Sequence, residues 1–269
     1  MNLYKRDFLS GLTSQEEAIL NTISQQKHNL DSTNIRRICS DKDLPEAVRH
    51  YYSLFPNHHI DIFQWDESAY LDQLNDTFHS LITDSNTGER QILHFINHTP
   101  AFHIIVSLIF TRRAFLNSFF NFGIGHQPRF HEIYLFPEFP LGTDMRADYL
   151  LVFNTSGGYE FIFVELESPN GNITKQDGSL GNAFTKGLRQ IEDWKAWLES
   201  NFSTLTSYFE RKTKYIGSLP REFYRYDSSR MHFVVVAGLR KDFSDKTYRL
   251  ARIYRDQHKT QLLHYENLL

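Results

Sequence analysis

Residues 147–169 read ADYLLVFNTSGGYEFIFVELESP, two β-prone runs around a Gly-Gly turn. Three carboxylates, Asp148, Glu165 and Glu167, stand at the ends of these otherwise apolar runs. The centre of NTSGGY lies between Ser156 and Gly157, so Asp148 and Glu165 are equidistant from it. A regular antiparallel pair places such residues directly opposite, on one face, with Cβ atoms about 5 Å apart. Strand alternation puts Glu167 on that face as well. Like charges facing each other are destabilising, and partial burial adds a desolvation cost. A divalent cation offsets both, and Mg²⁺ or Mn²⁺ takes carboxylate and water oxygens. Two other arrangements fit the same spacing: neutralisation of a structural cluster by Arg146 or another cation, or carboxylates at fraying strand ends in solvent.

The elements that must hold these residues follow from periodicity. Strands are expected at 131–139, near 146–154 and near 159–167, with a turn at PLGTD (140–144). SPNGNITKQDGSLGN (168–182) is a Gly/Asn-rich loop. Phe184, Leu188, Ile191, Trp194 and Leu198 predict a helix over 183–201. MHFVVVAGL (231–239) is a continuous apolar run of the kind a buried strand carries. SDKTYRLARIYRDQH reads as a helix capped by Ser244, and TQLLHYENLL as a short strand and a final turn. Upstream, 88–122 is helical and divided at Pro100. SQEEAILNTISQ (14–25) has helical spacing with Ser14 as its cap, and DLPEAVRHYYSLF (43–55) is a helix with Pro45 near its start. The fold class expected is α/β or α+β, a central mixed sheet flanked by helices. Residues 1–85 form an N-terminal, mainly helical extension, and 86–269 the domain that carries the carboxylates.

Composition limits the alternatives. The chain has 269 residues and one cysteine, Cys39, which excludes a disulfide framework and a thiolate metal cluster. The opening MNLYKRDFLS lacks the apolar core of a signal peptide, and the longest apolar stretch, AFHIIVSLIF, is too short to span a bilayer. A cytoplasmic protein with no membrane partner is expected. Residues 1–170 carry 12 Lys and Arg against 21 Asp and Glu, whereas residues 171–269 carry 17 against 11. A basic half can attract a polyanion, and Arg189, Arg240 and Lys241 are candidates for phosphate contacts. His58, His59 and Asp61 fit no standard metal-ligand spacing, and the two histidines read as surface residues. No HExxH, GxxxxGK[ST] or GxGxxG occurs, so neither a zinc protease nor nucleotide binding has support. Glu132 and Glu138 offer a further acid, or solvated glutamates at a strand edge.

The order Asp148, then Glu165-Leu166-Glu167, resembles the D…(D/E)xK signature of the PD-(D/E)xK, restriction-endonuclease-like nucleases. The stretch FVELESPNGNITKQDGSLGNAFTKGLRQIEDWKAWL (163–198) is similar to the central block of the Shedu anti-phage defence family. FPEFPLGTDMRADYLLV, HFVVVAGLRKDF and LLHYENLL resemble further elements of that family. The likeness covers roughly residues 90–269 and leaves 1–85 outside it. It implies a restriction-endonuclease-like core and metal-dependent hydrolysis of DNA phosphodiester bonds in prokaryotic defence against phage or plasmids. Asp148 and Glu165 would bind Mg²⁺ or Mn²⁺, and Gln190 would match the helical glutamine that supports the site. Glu167 stands where those nucleases have lysine. It would bind metal or act as a base, with the cation coming from Lys175 or Lys186. A catalytically weak or inactive domain that binds DNA or drives assembly is the alternative. The partners expected are DNA and further copies of the chain in a homo-oligomer, with residues 1–85 sensing a trigger, restraining activity or promoting assembly.

Overall fold

The computed structural model describes residues 7–24, 41, 45–61, 71–99, 132–155, 157–213 and 218–269. Its centre is one six-stranded mixed sheet in sequential order: β1 (His59–Ile60), β2 (Glu132–Leu141), β3 (Met145–Thr155), β4 (Gly158–Leu166), β5 (Met231–Val236) and β6 (Thr260–Leu263). β1 to β4 pair antiparallel, and β4, β5 and β6 run parallel. The helices are α1 (Ser14–Ser24), α2 (Glu46–Tyr52), α3 (Leu71–Thr83), α4 (Glu89–Asn97), α5 (Asn182–Lys212) and α6 (Asp245–His258). The continuation of the 88–122 pattern beyond Pro100 lies outside the described residues. Among the described residues no helix is long and apolar enough to cross a membrane.

The parallel pairing is a product of connection length. The short link between Thr155 and Gly158 can only return β4 antiparallel to β3, whereas the long crossover through α5 brings β5 back parallel. α5 runs further than its predicted end because Phe202, Leu205 and Phe209 continue the apolar stripe of Leu198, and all are buried. Ser244 caps α6 as expected, accepting from the Thr247 N–H at 3.2 Å. α1 differs: Thr13, not Ser14, takes the cap position. Its hydroxyl accepts from the Glu16 N–H at 3.3 Å, and Glu16 accepts from the Thr13 N–H at 2.9 Å.

Each sheet face buries its own apolar cluster. One holds Phe136, Leu150, Phe163, Phe233 and the inner stripe of α5. The other holds Leu135, Leu151, Val164, Val234, residues of α3 and α4, and Tyr265. Both clusters cross residue 85. Phe55 is fully buried, with ring contacts to Tyr134, Phe136, Phe209 and Phe223 at 5.1–5.6 Å, and Phe8, Phe78 and Ile82 sit in the second cluster. Phe55→Ala is therefore expected to cost about 3–5 kcal/mol in denaturant unfolding. A cost below about 1 kcal/mol would show that the upstream chain is not part of this core.

His58 and His59 are buried, contrary to the surface reading, and so is Asp61. The reason is that β1 adds an edge strand here. His58 Nδ1 meets the Leu135 carbonyl at 2.9 Å and stacks on Phe136, and Asp61 accepts from Arg49 Nη2 at 2.6 Å. A two-residue strand has no periodicity to find, and its apolar neighbour Phe136 lies nearly 80 residues away in sequence.

Candidate active site

The hairpin register is the one that the turn dictates. Tyr149 faces Val164 and Thr155 faces Gly158, which leaves Asp148 and Glu165 just beyond the last paired rung. The ladder stops at Tyr149 and Val164, so the next β4 amide, that of Leu166, has no backbone carbonyl across from it. The Asp148 side chain fills that position: Oδ2 accepts from the Leu166 N–H at 2.7 Å. Glu165 points to the α5 side, following Phe161 and Phe163, and is 3% exposed. Glu167, also 3% exposed, follows the strand end. Its N–H donates to Val236 O at 2.8 Å, and its own carbonyl accepts from the buried Tyr265 hydroxyl at 2.5 Å.

The cation comes from α5. Lys186 Nζ lies 2.9 Å from Glu167 Oε2 and 2.9 Å from Glu89 Oε2. Gln190, one turn on, shares that helix face. Gly187 permits the approach: a Cβ there would come within 2.6 Å of Val235 Cγ1 and 3.3 Å of Glu167 Cγ. Glu89 is the residue that sequence reasoning missed. It opens α4, and the preceding turn is tied to the loop after β4 by Asn170 Nδ2, which donates to Asp84 O and Thr87 O, each at 2.8 Å. A glutamate in the first turn of a helix normally serves the helix dipole, and nothing local marks this one as different.

The electrostatics follow from burial. Desolvation raises Glu165 to about 9, with Asp148 and Glu167 adding to the effect. Desolvation raises Asp148 to about 7, although the Leu166 amide pulls the other way. It raises Glu167 to about 7 against the hydrogen bond and charge of Lys186. Burial alone would lower Lys186, but its two carboxylate partners outweigh that and leave it above its ordinary value.

The other candidates lie apart from this cluster. Lys175 is exposed on a loop fastened to α6 by Thr174, whose hydroxyl sits 2.5 Å from Thr247 Oγ1. Glu138 pairs with Arg146 Nη1 at 2.7 Å, so Arg146 neutralises Glu138 rather than the three carboxylates. Glu132 is buried under the Tyr134 and Tyr159 hydroxyls, at 2.8 and 2.5 Å. Arg189, Arg240 and Lys241 are exposed, and the Arg240 backbone N–H is held by Glu266 at 2.9 Å. A cavity of about 620 Å³ opens near the β4 start, lined by residues including Glu199, Arg221, Arg225, Tyr226 and Arg230. None of the three carboxylates lines it.

Cation binding fits this donor set. Glu167 Oε1 and Gln190 Oε1 are buried acceptors with no hydrogen-bond partner, which is costly unless a further donor or cation meets them. Among the described residues no three His, Cys, Asp or Glu side chains form a ready-made ligand group.

Fold and site together define an α/β protein with a mixed sheet, whose central hairpin ends in buried carboxylates closed over by one helical lysine. The chain belongs to the Shedu family: residues 86–269, more than half of it, match the family described as Shedu protein SduA, C-terminal. That membership suggests a role in anti-phage defence. No curated protein matches the chain.

Proposed function

We propose that the cluster at the open end of the β3–β4 hairpin is a Mg²⁺- or Mn²⁺-dependent nuclease centre, on a restriction-endonuclease-like core, that hydrolyses DNA phosphodiester bonds in defence. The observation that carries the reading is that buried Glu165 and Glu167 stand beside half-buried Asp148, with Lys186 bridging Glu167 and Glu89 and orphaned oxygens on Glu167 and Gln190. Asp148 and Glu165 would hold the cation. When bound, it supplies Lewis-acid polarisation of the phosphate and eases deprotonation of water. Leu166 fixes the direction of the Asp148 carboxylate through its N–H. Glu167, raised to about 7, is poised to take a proton from attacking water near neutral pH. Lys186 fills the role of the missing motif lysine from α5, putting positive charge beside Glu167 for the phosphate. Gln190 orients a water or a ligand through Oε1. Arg189, Arg240, Lys241 and Lys175 contribute phosphate contacts, so binding falls steeply with salt. DNA and further copies of the chain are the partners in this reading.

A second reading, a DNA-binding or assembly module without catalysis, is favoured by the absence of a preformed three-ligand group among the described residues. Purified protein incubated with linear and supercoiled DNA separates the two. Cutting with Mg²⁺ or Mn²⁺, abolished by EDTA and by Asp148→Ala, is the expected result. No cutting of either substrate, with DNA binding unchanged in Asp148→Ala, would replace the nuclease with the module.

A further inference from the structure

Glu138 has φ +48, one of two non-glycine residues in the left-handed region among the described residues. The other, Lys259, ends a helix, where that conformation is common. Glu138 is inside a strand. β2 and β3 pair Pro137 with Tyr149 and Phe139 with Ala147, so Glu138 falls opposite Asp148, at the one rung missing from the ladder. The register is the same on both sides, so no residue has been inserted.

The side-chain alternation slips at that rung in both strands. In β2, Tyr134 and Phe136 face the α5 cluster, but beyond Glu138 it is Phe139 and Leu141 that do. In β3, Val152 and Leu150 face that cluster, but beyond Asp148 it is Ala147, followed by Met145. β4 alternates without a break through Phe161, Phe163 and Val164. Asp148 thus sits at the point where β3 turns over, and its carboxylate reaches along the sheet to the Leu166 N–H.

We propose that Glu138 is a positioning residue acting through its backbone: its left-handed conformation turns the β2–β3 rung and so aims the Asp148 carboxylate. Its own carboxylate is engaged outside the cluster, with Arg146. An energetically unfavourable backbone held inside a strand beside a reactive group is the pattern expected when strain serves positioning. The role in cation binding rests on the nuclease reading; the effect on Asp148 does not.

The test compares Glu138→Gly and Glu138→Asn, which tolerate positive φ, with Glu138→Val and the milder Glu138→Ala, which disfavour it. Amide exchange of Leu166 in the full chain reports the Asp148 contact, and the Phe163 amide reports the intact sheet. Gly and Asn should retain Leu166 protection and Mn²⁺ affinity. Val, and Ala in part, should lose Leu166 protection while Phe163 stays protected, with Mn²⁺ affinity falling roughly 10-fold or more. If Val does not fold, Ala decides. Loss of Leu166 protection in Gly would overturn the proposal, because the carboxylate would then be what matters. Retention in both Val and Ala would overturn it equally. If Leu166 responds as expected but no form binds Mn²⁺, the positioning role stands and the nuclease reading fails.

Discussion

Glu165→Gln gives a protein that is more stable than the parent at pH 8 without divalent cations and cleaves DNA at least ~10³-fold more slowly. Both effects have one cause. Glu165 is buried, and desolvation raises it to about 9. At pH 8 the folded chain therefore holds a proton on Glu165 that the unfolded chain releases, and a neutral isostere removes that cost. In the nuclease reading the same anion holds the cation. Losing a metal ligand forfeits several kcal/mol of transition-state stabilisation, and each 1.4 kcal/mol is about tenfold in rate. Metal-dependent cleavage and thermal unfolding of the two proteins, side by side at pH 8 and pH 5, check this. At pH 5 the unfolded chain, in which Glu165 has its ordinary value of 4.5, gains far less by ionising it, so the stability difference should shrink. Cleavage within about tenfold of the parent would remove Glu165 from the cation centre.

Without a cation, stability should decline as pH rises from about 5 to about 9. Glu165 at about 9 and Asp148 and Glu167 at about 7 lie above their ordinary values of 4.5 and 3.8. Between those ordinary values and the raised ones, the folded chain holds more protons than the unfolded chain. Raising the pH then favours unfolding, so stability present in acid is lost as each folded-state value is passed. The opposite slope belongs below about pH 4, where Asp177, Asp227 and Asp256, all lowered chiefly by hydrogen bonds from neighbours, become protonated. Asp148 is half-buried and Lys186, paired with Glu167, is 56% exposed, so water at the edge of the group screens it. A discounted loss of roughly 2–3 kcal/mol corresponds to about 5–10 °C in Tm for a chain of this size. Mn²⁺ at pH 8 should recover stability by mass action, and Glu165→Gln should flatten the slope. A flat profile in the parent protein would show that burial does not strain these groups.

The residues that sequence reading placed together are those joined by local rules. A two-residue turn fixes antiparallel register, and strand alternation has period two. Asp148, Glu165 and Glu167 were therefore legible as neighbours at one end of the hairpin from the spacing around Ser156 and Gly157, but not the slip in alternation that sends the Asp148 carboxylate to the Leu166 N–H. The apolar stripe of α5 was legible for the same reason, and its extension through Phe202, Leu205 and Phe209 was there to be read. Lys186 was legible only as one of two lysines that could reach the cluster; the helix–sheet approach over Gly187 separates it from Lys175. Glu89 was not legible, because its partner is 97 residues away and a helix N-terminus explains an acid without further cause. The turned rung at Glu138 was also hidden, since the hydrophobic pattern of β2 reads as a plain strand on either side of it. The burial of His59 and Asp61 depended on an edge strand too short to show periodicity. Turn chemistry and side-chain period, which act over a few residues, set the carboxylate hairpin from sequence. Packing between segments far apart in the chain decided which cation closes over it, which acid joins it and which way Asp148 points.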